Sequence, residues 1–471
     1  MQRGMTELLS QDDIEQIHRT SMRLLAEVGV AFPHGEALAV FERHGMKTVG
    51  GRVCLGDEDV ARALESVPAR FTIHARNPDR SVTIGDGEPV FAPGYGAPFI
   101  VDAKVGKRVP TMEDYHKLAR LAHALPNQDL SGHMMAQPRD VPASRAYLHM
   151  LHATMVHSDK PFLGSTEGEV AARHTMEMAS VLFNKSVEGW PVTIGLISSL
   201  SPLGYSTEML GALLAYSRWR QPVVIAALAM AGLTAPVTLA GLLAMQNAEL
   251  LAGLVLTQLV SPGTPVVYGS ASTNVDMRTV GLAIGSPELS LLIAAHAQLA
   301  RHYGLPSRSG GSLTDANSPD AQAGFESMLS LLTTVRSGIE LVLHAAGILA
   351  SYLAFSYEKF VLDDEMCGMV RRYLRGIEVT PETLAYDLIA KVAPAGDFLT
   401  EPHTLKRYRN EFWRPAVCDR NGLKAWMTGG RHDAVYRAGL RCQQLLARHE
   451  DPPLDGSTAR HLQSFVDKAQ S

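Results

Sequence analysis

Apolar positions follow three regimes along the chain. Over roughly the first 80 residues they recur at helical spacing. Ser10 is a plausible N-cap for a helix carrying Ile14, Ile17, Met22, Leu25 and Val28 and stopping near Gly29. Further helices are expected after Pro33 and after Gly56. The stretches RFTIHAR, SVTIGDGEPVFAP and PFIVDA then read as short strands.

The middle regime is a rhythm of strand-like runs beginning near Leu130, Phe162, Val192, Val223, Val266, Pro306, Leu341 and Phe360. Most of the gaps hold a helical pattern. The segments from Pro142 to His157 and from Ser286 to His302, and the one after Pro319, are examples. Eight strands alternating with helices predict an α/β fold, a TIM-type eight-stranded parallel β/α barrel. No GxGxxG follows a strand, so no dinucleotide fingerprint is present. The last regime, PETLAYDLIAKV, then Leu405 to Phe412, then Asp433 to His449, is helical again. The expected division is a helical extension over 1–80, the barrel core with its short preceding strands over 81–378, and a helical region over 379–471 packing on the barrel.

Composition narrows the class. Hydrophobic residues make up 46% of the 471 and charged residues only 19%. More apolar surface is therefore available than one barrel hides, and a homo-oligomer is expected. A net charge of −5 without basic runs argues against nucleic acid and anionic membranes. The most apolar stretch, Pro222 to Val260, contains Gln246, Asn247 and Glu249 and reads as a buried strand and helix rather than a membrane span. The N-terminus carries no apolar signal-peptide core, and Cys54, Cys367, Cys418 and Cys442 are widely spaced; a cytoplasmic protein with free thiols is expected.

Barrel chemistry sits at the C-terminal ends of the strands. In order these ends offer His133; Ser165, Thr166 and Glu167; Ser198, Ser199 and Ser201; Ala226; Tyr268, Ser270 and Ser272; Ser309, Ser312 and Asp315; His344; and Asp363, Asp364 and Glu365. No lysine stands among them, because Lys160 and Lys359 fall at strand starts, which disfavours a Schiff-base enzyme. Cysteine is nearly absent too, and no Gly-rich phosphate cradle follows the last two strands. A small, unphosphorylated ligand is expected. Each candidate also has a plain reading. His133 and His344 could be core histidines, the acidic trio could cap a helix, and Tyr95, Tyr268 and Phe355 could simply pack.

The segments PGYGAPFIVDA, VYGSASTNVDMRTVGLAIGSPE, LPSRSGGSLTDANSPDAQAGFES, FSYEKFVLDDEMCGMVRRYLRGIEV and EPHTLKRYRNEFWRPAVCDRNGLKAW together resemble the trimethylamine methyltransferase family. The resemblance runs from Pro93 to Trp426. It implies a β/α barrel and a corrinoid-dependent methyltransferase. The family's founding enzyme carries pyrrolysine, whereas this chain has only ordinary residues, as in the branch that includes a glycine betaine methyltransferase. The branch implies methyl transfer from a quaternary amine, glycine betaine first, to the Co(I) corrinoid of a separate protein. No tightly bound cofactor or metal is then expected in the chain itself.

A site for a quaternary ammonium holds the cation on aromatic faces and near a carboxylate. Tyr95, Tyr268, Phe355, Glu167 and Asp315 are the candidates by position, with His344 facing the ligand's acidic end. No residue is assigned a catalytic role. Two rival readings remain at this point. One is a metal-assisted barrel lyase or hydrolase acting on a small acid, built from His133, Glu167 and Asp315. The other is a non-catalytic protein that binds methylated amines.

Overall fold

The computed structural model describes residues 5–102 and 106–469. Its centre is a curled, all-parallel seven-stranded sheet. The strands are β1 (Val90–Phe91), β2 (Phe162–Leu163), β3 (Thr193–Ser198), β4 (Val223–Ala227), β5 (Val266–Ser270), β6 (Ser307–Gly310) and β7 (Leu341–Leu343). The hydrogen-bonded order is β1-β7-β6-β5-β4-β3-β2. Between the two edge strands runs the segment at Leu130. Asp129 and Leu130 both donate their N–H to the Phe91 carbonyl, at 2.8 and 3.2 Å. Ser131 donates to Pro161 at 2.8 Å and accepts from Leu163 at 3.1 Å.

Six of the expected runs are thus strands, and the Leu130 run is a single parallel bridge to Phe162. The eighth expectation is corrected: Phe360 lies inside helix Tyr357–Arg375. Ser356 caps that helix by accepting from the Lys359 N–H, and Phe360, Cys367 and Leu374 recur every two turns on its buried face. The acidic trio read as a strand end is therefore mid-helix, and each member fastens a different segment. Asp363 accepts from the Gly347 N–H at 2.8 Å. Asp364 takes the Asn127 backbone N–H at 3.0 Å. Glu365 receives the N–H groups of Ala416, Val417 and Cys418. In place of the eighth run, β1 pairs in parallel with β7, Val90 beside Leu341.

Strand alternation sorts side chains into two cores. Val90, Leu130, Leu163, Ile194, Val224, Ala226, Val267, Leu341 and Leu343 form the inner one. The hairpin Phe71–Ile73 with Val82–Ile84 contributes Phe71, Ile73 and Ile84 to it and plugs the end where the strands begin. Phe162, Ile197, Val223, Ile225, Val266, Tyr268 and Val342 face outward into the helices.

Helix Leu239–Val260 is long and apolar enough to cross a membrane, but 83% of its most apolar window is buried inside the protein. Its polar residues are spoken for. Glu249 accepts from Ser199 at 2.5 Å, Ser201 at 2.8 Å and the Leu203 N–H at 2.8 Å. It thereby shapes the loop after β3. The N-terminal helix, Gln11–Glu27, begins at the expected cap, with Ser10 and Asp13 forming a reciprocal capping box.

The open ends of β6 and β7 rest on one buried ion pair. Lys359 Nζ lies 2.6 Å from both oxygens of Asp363, and also donates to the Ser312 carbonyl at 3.3 Å and to Ser327 Oγ at 2.9 Å. Burial pushes the Asp363 carboxyl up to about 6 and the lysine down. Removing one partner strands the other charge in the core. We expect Lys359→Met to cost about 3–5 kcal/mol of unfolding free energy in denaturant titrations, and the additional change Asp363→Leu to restore much of it. Equal stability of Lys359→Met and wild type would contradict this account.

Candidate active site at the barrel mouth

At the open end, the loops after β1, β2, β6 and β7 and after the Leu130 segment converge on one polar patch. Tyr95 follows β1. Its backbone N–H donates to His344 Nδ1 at 3.1 Å, and Gly96 N–H donates to the Met134 carbonyl at 2.7 Å, so three loops are tied together. The Tyr95 hydroxyl lies beside Thr166 and Glu167, and desolvation pushes its pKa up to about 12. Glu167 stands at the rim with its side chain 31% exposed, Oε2 4.0 Å from His133 Nε2. Burial raises its carboxyl above the ordinary range, opposed by Ser165.

His344 ends β7 with φ 59°. Because Nδ1 accepts a hydrogen bond, its neutral ring carries the proton on Nε2 and is a donor there. Burial, and then the charge of Arg308, hold its pKa well below the ordinary value. Tyr352, in a segment where Ala350, Ser351 and Tyr352 all take positive φ, sets its ring 4.8 Å from the His344 ring. Three consecutive non-glycine residues in that region mark stored strain at the mouth.

Arg308 lies inside the barrel. It is paired in register with Leu341, an inner-core residue, and is 1% exposed. Nη1 donates to the Ser270 carbonyl at 2.9 Å, Nε has no partner, and no described carboxylate forms an ion pair with it. Desolvation lowers its pKa to about 10, so it stays cationic at neutral pH. Other buried polar atoms at this end are also unsatisfied: both ring nitrogens of His133, Ser312 Oγ and Tyr352 Oη. Each such group costs about 1–3 kcal/mol. Their concentration at one end of the barrel is what a binding site left open for a polar ligand looks like.

Three of the sequence candidates, Tyr95, Glu167 and His344, thus belong to this patch. The others do not face it. Tyr268 points outward, donates to Asn247 Oδ1 at 2.7 Å and stacks 4.6 Å from the ring of His296. Phe355 is fully buried under the loop, filling the space over Gly94 and Gly347 and meeting the Phe360 ring edge-on. Asp315 is close but occupied. It accepts the N–H groups of Ile284 and Gly285, both at 2.9 Å, and the Ser351 hydroxyl at 2.7 Å, fastening the loops after β5 and β7 to its own. Arg308 and Tyr352 were not foreseen. An inward position in β6 was the available signal for Arg308, hidden by the loop-like run SRSGGS.

The patch is polar in a defined sense. Glu167 and Tyr95 form its electronegative side, and Arg308 with the donor His344 its electropositive side. We expect histidine NMR to find His344 neutral and in the Nε2–H form from pH 5 to 8. His133, whose pKa desolvation lowers to about 3, should likewise not titrate in that interval. Titration of either ring near 6.5 would refute this electrostatic picture.

Comparison with known proteins places this geometry. The family model for Trimethylamine methyltransferase (MTTB) matches residues 1–471. The chain is 47% identical over 461 residues, 98% of its length and 96% of the relative's, to the glycine betaine methyltransferase of Desulfitobacterium hafniense (strain Y51). It is 37% identical over 426 residues, 88% of this chain and 87% of the relative, to the proline betaine:corrinoid methyltransferase of Eubacterium limosum. Identity to the trimethylamine methyltransferase of D. hafniense (strain DSM 10664 / DCB-2) is 30% over 466 residues, 98% of this chain and 93% of that one. In fold it is similar to the crystal structure of the Methanosarcina barkeri monomethylamine methyltransferase, with a TM-score of 0.53 and 13% identity, covering 94% of this chain and 89% of that one. Matched along its whole length and sharing extensive identity with betaine-acting members, the chain belongs to the trimethylamine methyltransferase family.

Proposed function

We propose that this protein transfers a methyl group from a small betaine, glycine betaine first, to a corrinoid carried by a separate protein. The carrying observation is Arg308, a buried, unpaired cation at a mouth whose opposite side is aromatic and acidic. A betaine matches that polarity, with its carboxylate toward Arg308 and the His344 Nε2–H and its methylammonium toward Tyr95 and Glu167. Tyr352 supplies a second aromatic surface, in the place first given to Tyr268 and Phe355. Trimethylamine has no anionic end and would leave the guanidinium uncompensated.

The chemistry asks little of side chains. The partner's corrinoid supplies the nucleophile. The C–N bond breaks with its electron pair going to nitrogen, and the product is a neutral tertiary amine, so no proton has to be delivered. The mouth then acts by orienting one methyl outward and excluding water. A neutral His344 suits this role, as a donor rather than an acid. The rival built on a metal at the strand ends has less support. Among the described residues, the group of three side chains close enough for one ion is His157, His449 and Asp451. His157 ends a helix that leads back toward the strand starts, away from the mouth. A bound metal or cofactor is therefore not part of this reading.

Two further readings accompany it. The Leu130 segment, hydrogen-bonded to both edge strands, supports a closed barrel of eight. The region after Gly376 supports a homo-oligomer. Helices Pro381–Leu384, Tyr386–Val392, Pro402–Glu411 and Leu423–Thr428 bury no residue. Ile377, Leu399, Phe412 and Leu423 are among the apolar side chains there that face solvent. Such short helices do not persist without packing, and a second copy would supply it.

Isothermal calorimetry with glycine betaine and tetramethylammonium tests the function. Arg308→Met should weaken betaine by about 2 kcal/mol, roughly thirty-fold, and tetramethylammonium hardly at all. Tyr95→Ala should weaken both by a similar amount. Betaine affinity should be level through neutral pH. It should fall at acid pH as Glu167, whose carboxyl burial raises, gains a proton. If wild type binds no betaine, or passes no methyl group to a reduced corrinoid protein, the proposal fails. Light scattering should find an oligomer, which Phe412→Asp with Leu423→Asp should dissociate.

A further inference from the structure

The mouth carries a second feature, along the loops between Glu167 after β2 and Arg308 on β6. The loops after β3, β4 and β5 present Leu200, Leu228, Leu233, Val237, Met277 and Val280 to solvent. Large apolar side chains are normally scattered on a protein surface; here six lie on three successive loops around one opening.

Their contiguity follows from register. Ser198 is paired with Ala226, so Leu200 and Leu228, each two residues further on, leave neighbouring strands at the same level. Beyond β4 the strand Met230–Ala231 pairs with Thr273–Asp276, which turns into Gly281–Leu282 to make a small ribbon standing above the barrel. Met277 lies over the turn that carries Leu233, since a Cβ at Gly232 would sit 3.0 Å from the Met277 sulfur. Val280, at the tip of the ribbon, takes φ 57°. A β-branched residue in that region is strained, and this one is 59% exposed as well. Strain and exposure at one tip are both unfavourable in the free protein, and a covering partner would relieve the exposure.

We infer that this apolar crescent is the docking surface for the corrinoid-carrying protein. The inference rests on the function proposed above. A methyl acceptor held on another protein has to come over the mouth, and the crescent borders the mouth directly. The partner's protein surface would rest on the crescent while the acceptor reaches over the opening to Tyr95 and Glu167. A second copy of the chain is the less fitting occupant, because self-association here would close the mouth to the acceptor.

The variant Leu233→Asp/Met277→Asp/Val280→Asp tests it. These side chains face solvent, so the fold and betaine affinity should be unchanged by calorimetry. The KM for the corrinoid protein should rise at least ten-fold, while transfer to free reduced cobalamin stays within two-fold. In wild type, adding the corrinoid protein should protect 228–237 and 273–282 from hydrogen exchange. An unchanged KM together with no protection would overturn the inference. So would loss of the oligomer in the variant with normal corrinoid-protein kinetics, which would make the crescent a self-interface. Failure of wild type to bind betaine would instead sink the functional proposal beneath it.

Discussion

A guanidinium buried in an apolar barrel without a counter-ion is the constraint around which the mouth is organised. Arg308 keeps one hydrogen bond, to the Ser270 carbonyl, and has no ion pair with a described carboxylate. Left alone, such a group is among the most expensive a core can hold. Neutralising it with a protein carboxylate would stabilise the fold and close the site. On the betaine reading proposed above, the positive charge is left for the ligand's carboxylate, while other carboxylates tie the surrounding loops together. Lys359 and Asp363 brace the loops after β6 and β7 from below, and Asp315 ties them to the loop after β5 from above. Those carboxylates are consumed by structure, which is why neither neutralises Arg308.

The same arrangement fixes the state of His344. A histidine next to an uncompensated cation and out of water stays neutral, and the Tyr95 N–H selects its tautomer. Two anion-seeking groups, a guanidinium and an imidazole N–H, are thus presented side by side without either being able to neutralise the other. Glu167 is kept at the rim, where water still reaches it. A site with its opposite charges separated in this way distinguishes a zwitterion from a simple cation, whereas an aromatic cage alone does not.

Much of the architecture was legible in the apolar rhythm, because strands with both faces buried are continuous hydrophobic runs. Six strands from Phe162 to Leu343 appear where those runs are. The failures have definite causes. FVL at 360–362 is as apolar as a short strand, but Ser356 three residues before Lys359 is a helix cap, and Phe360, Cys367 and Leu374 keep the helical period. The true neighbour of β7, Val90–Phe91, is two residues long and sits in a stretch dense with glycine and proline. At the site, strand parity was the missing consideration. Tyr268 and Val267 are adjacent and both apolar, yet only Val267 faces inward. A rule that strand ends carry chemistry selects position along a strand and is silent about which face a side chain occupies.

Parity also explains why the most informative residue was overlooked. In SRSGG, the alternation that sends Ser307 and Ser309 outward sends Arg308 in, where an apolar residue is the norm. Gly269, its register partner on β5, has no side chain, and a Cβ there would meet Val224 and the Ile225 carbonyl within 3.0 Å. The space beside Gly269 is taken up by the Val224 and Ala226 side chains, so the guanidinium is packed into the apolar wall and is only 1% exposed. An arginine that breaks the inner apolar pattern opposite a glycine is locally unfavourable on both counts. Such a pair persists where the ligand it receives outweighs the stability it forgoes, and on the betaine reading proposed above the barrel wall then holds the carboxylate while the loops hold the cation.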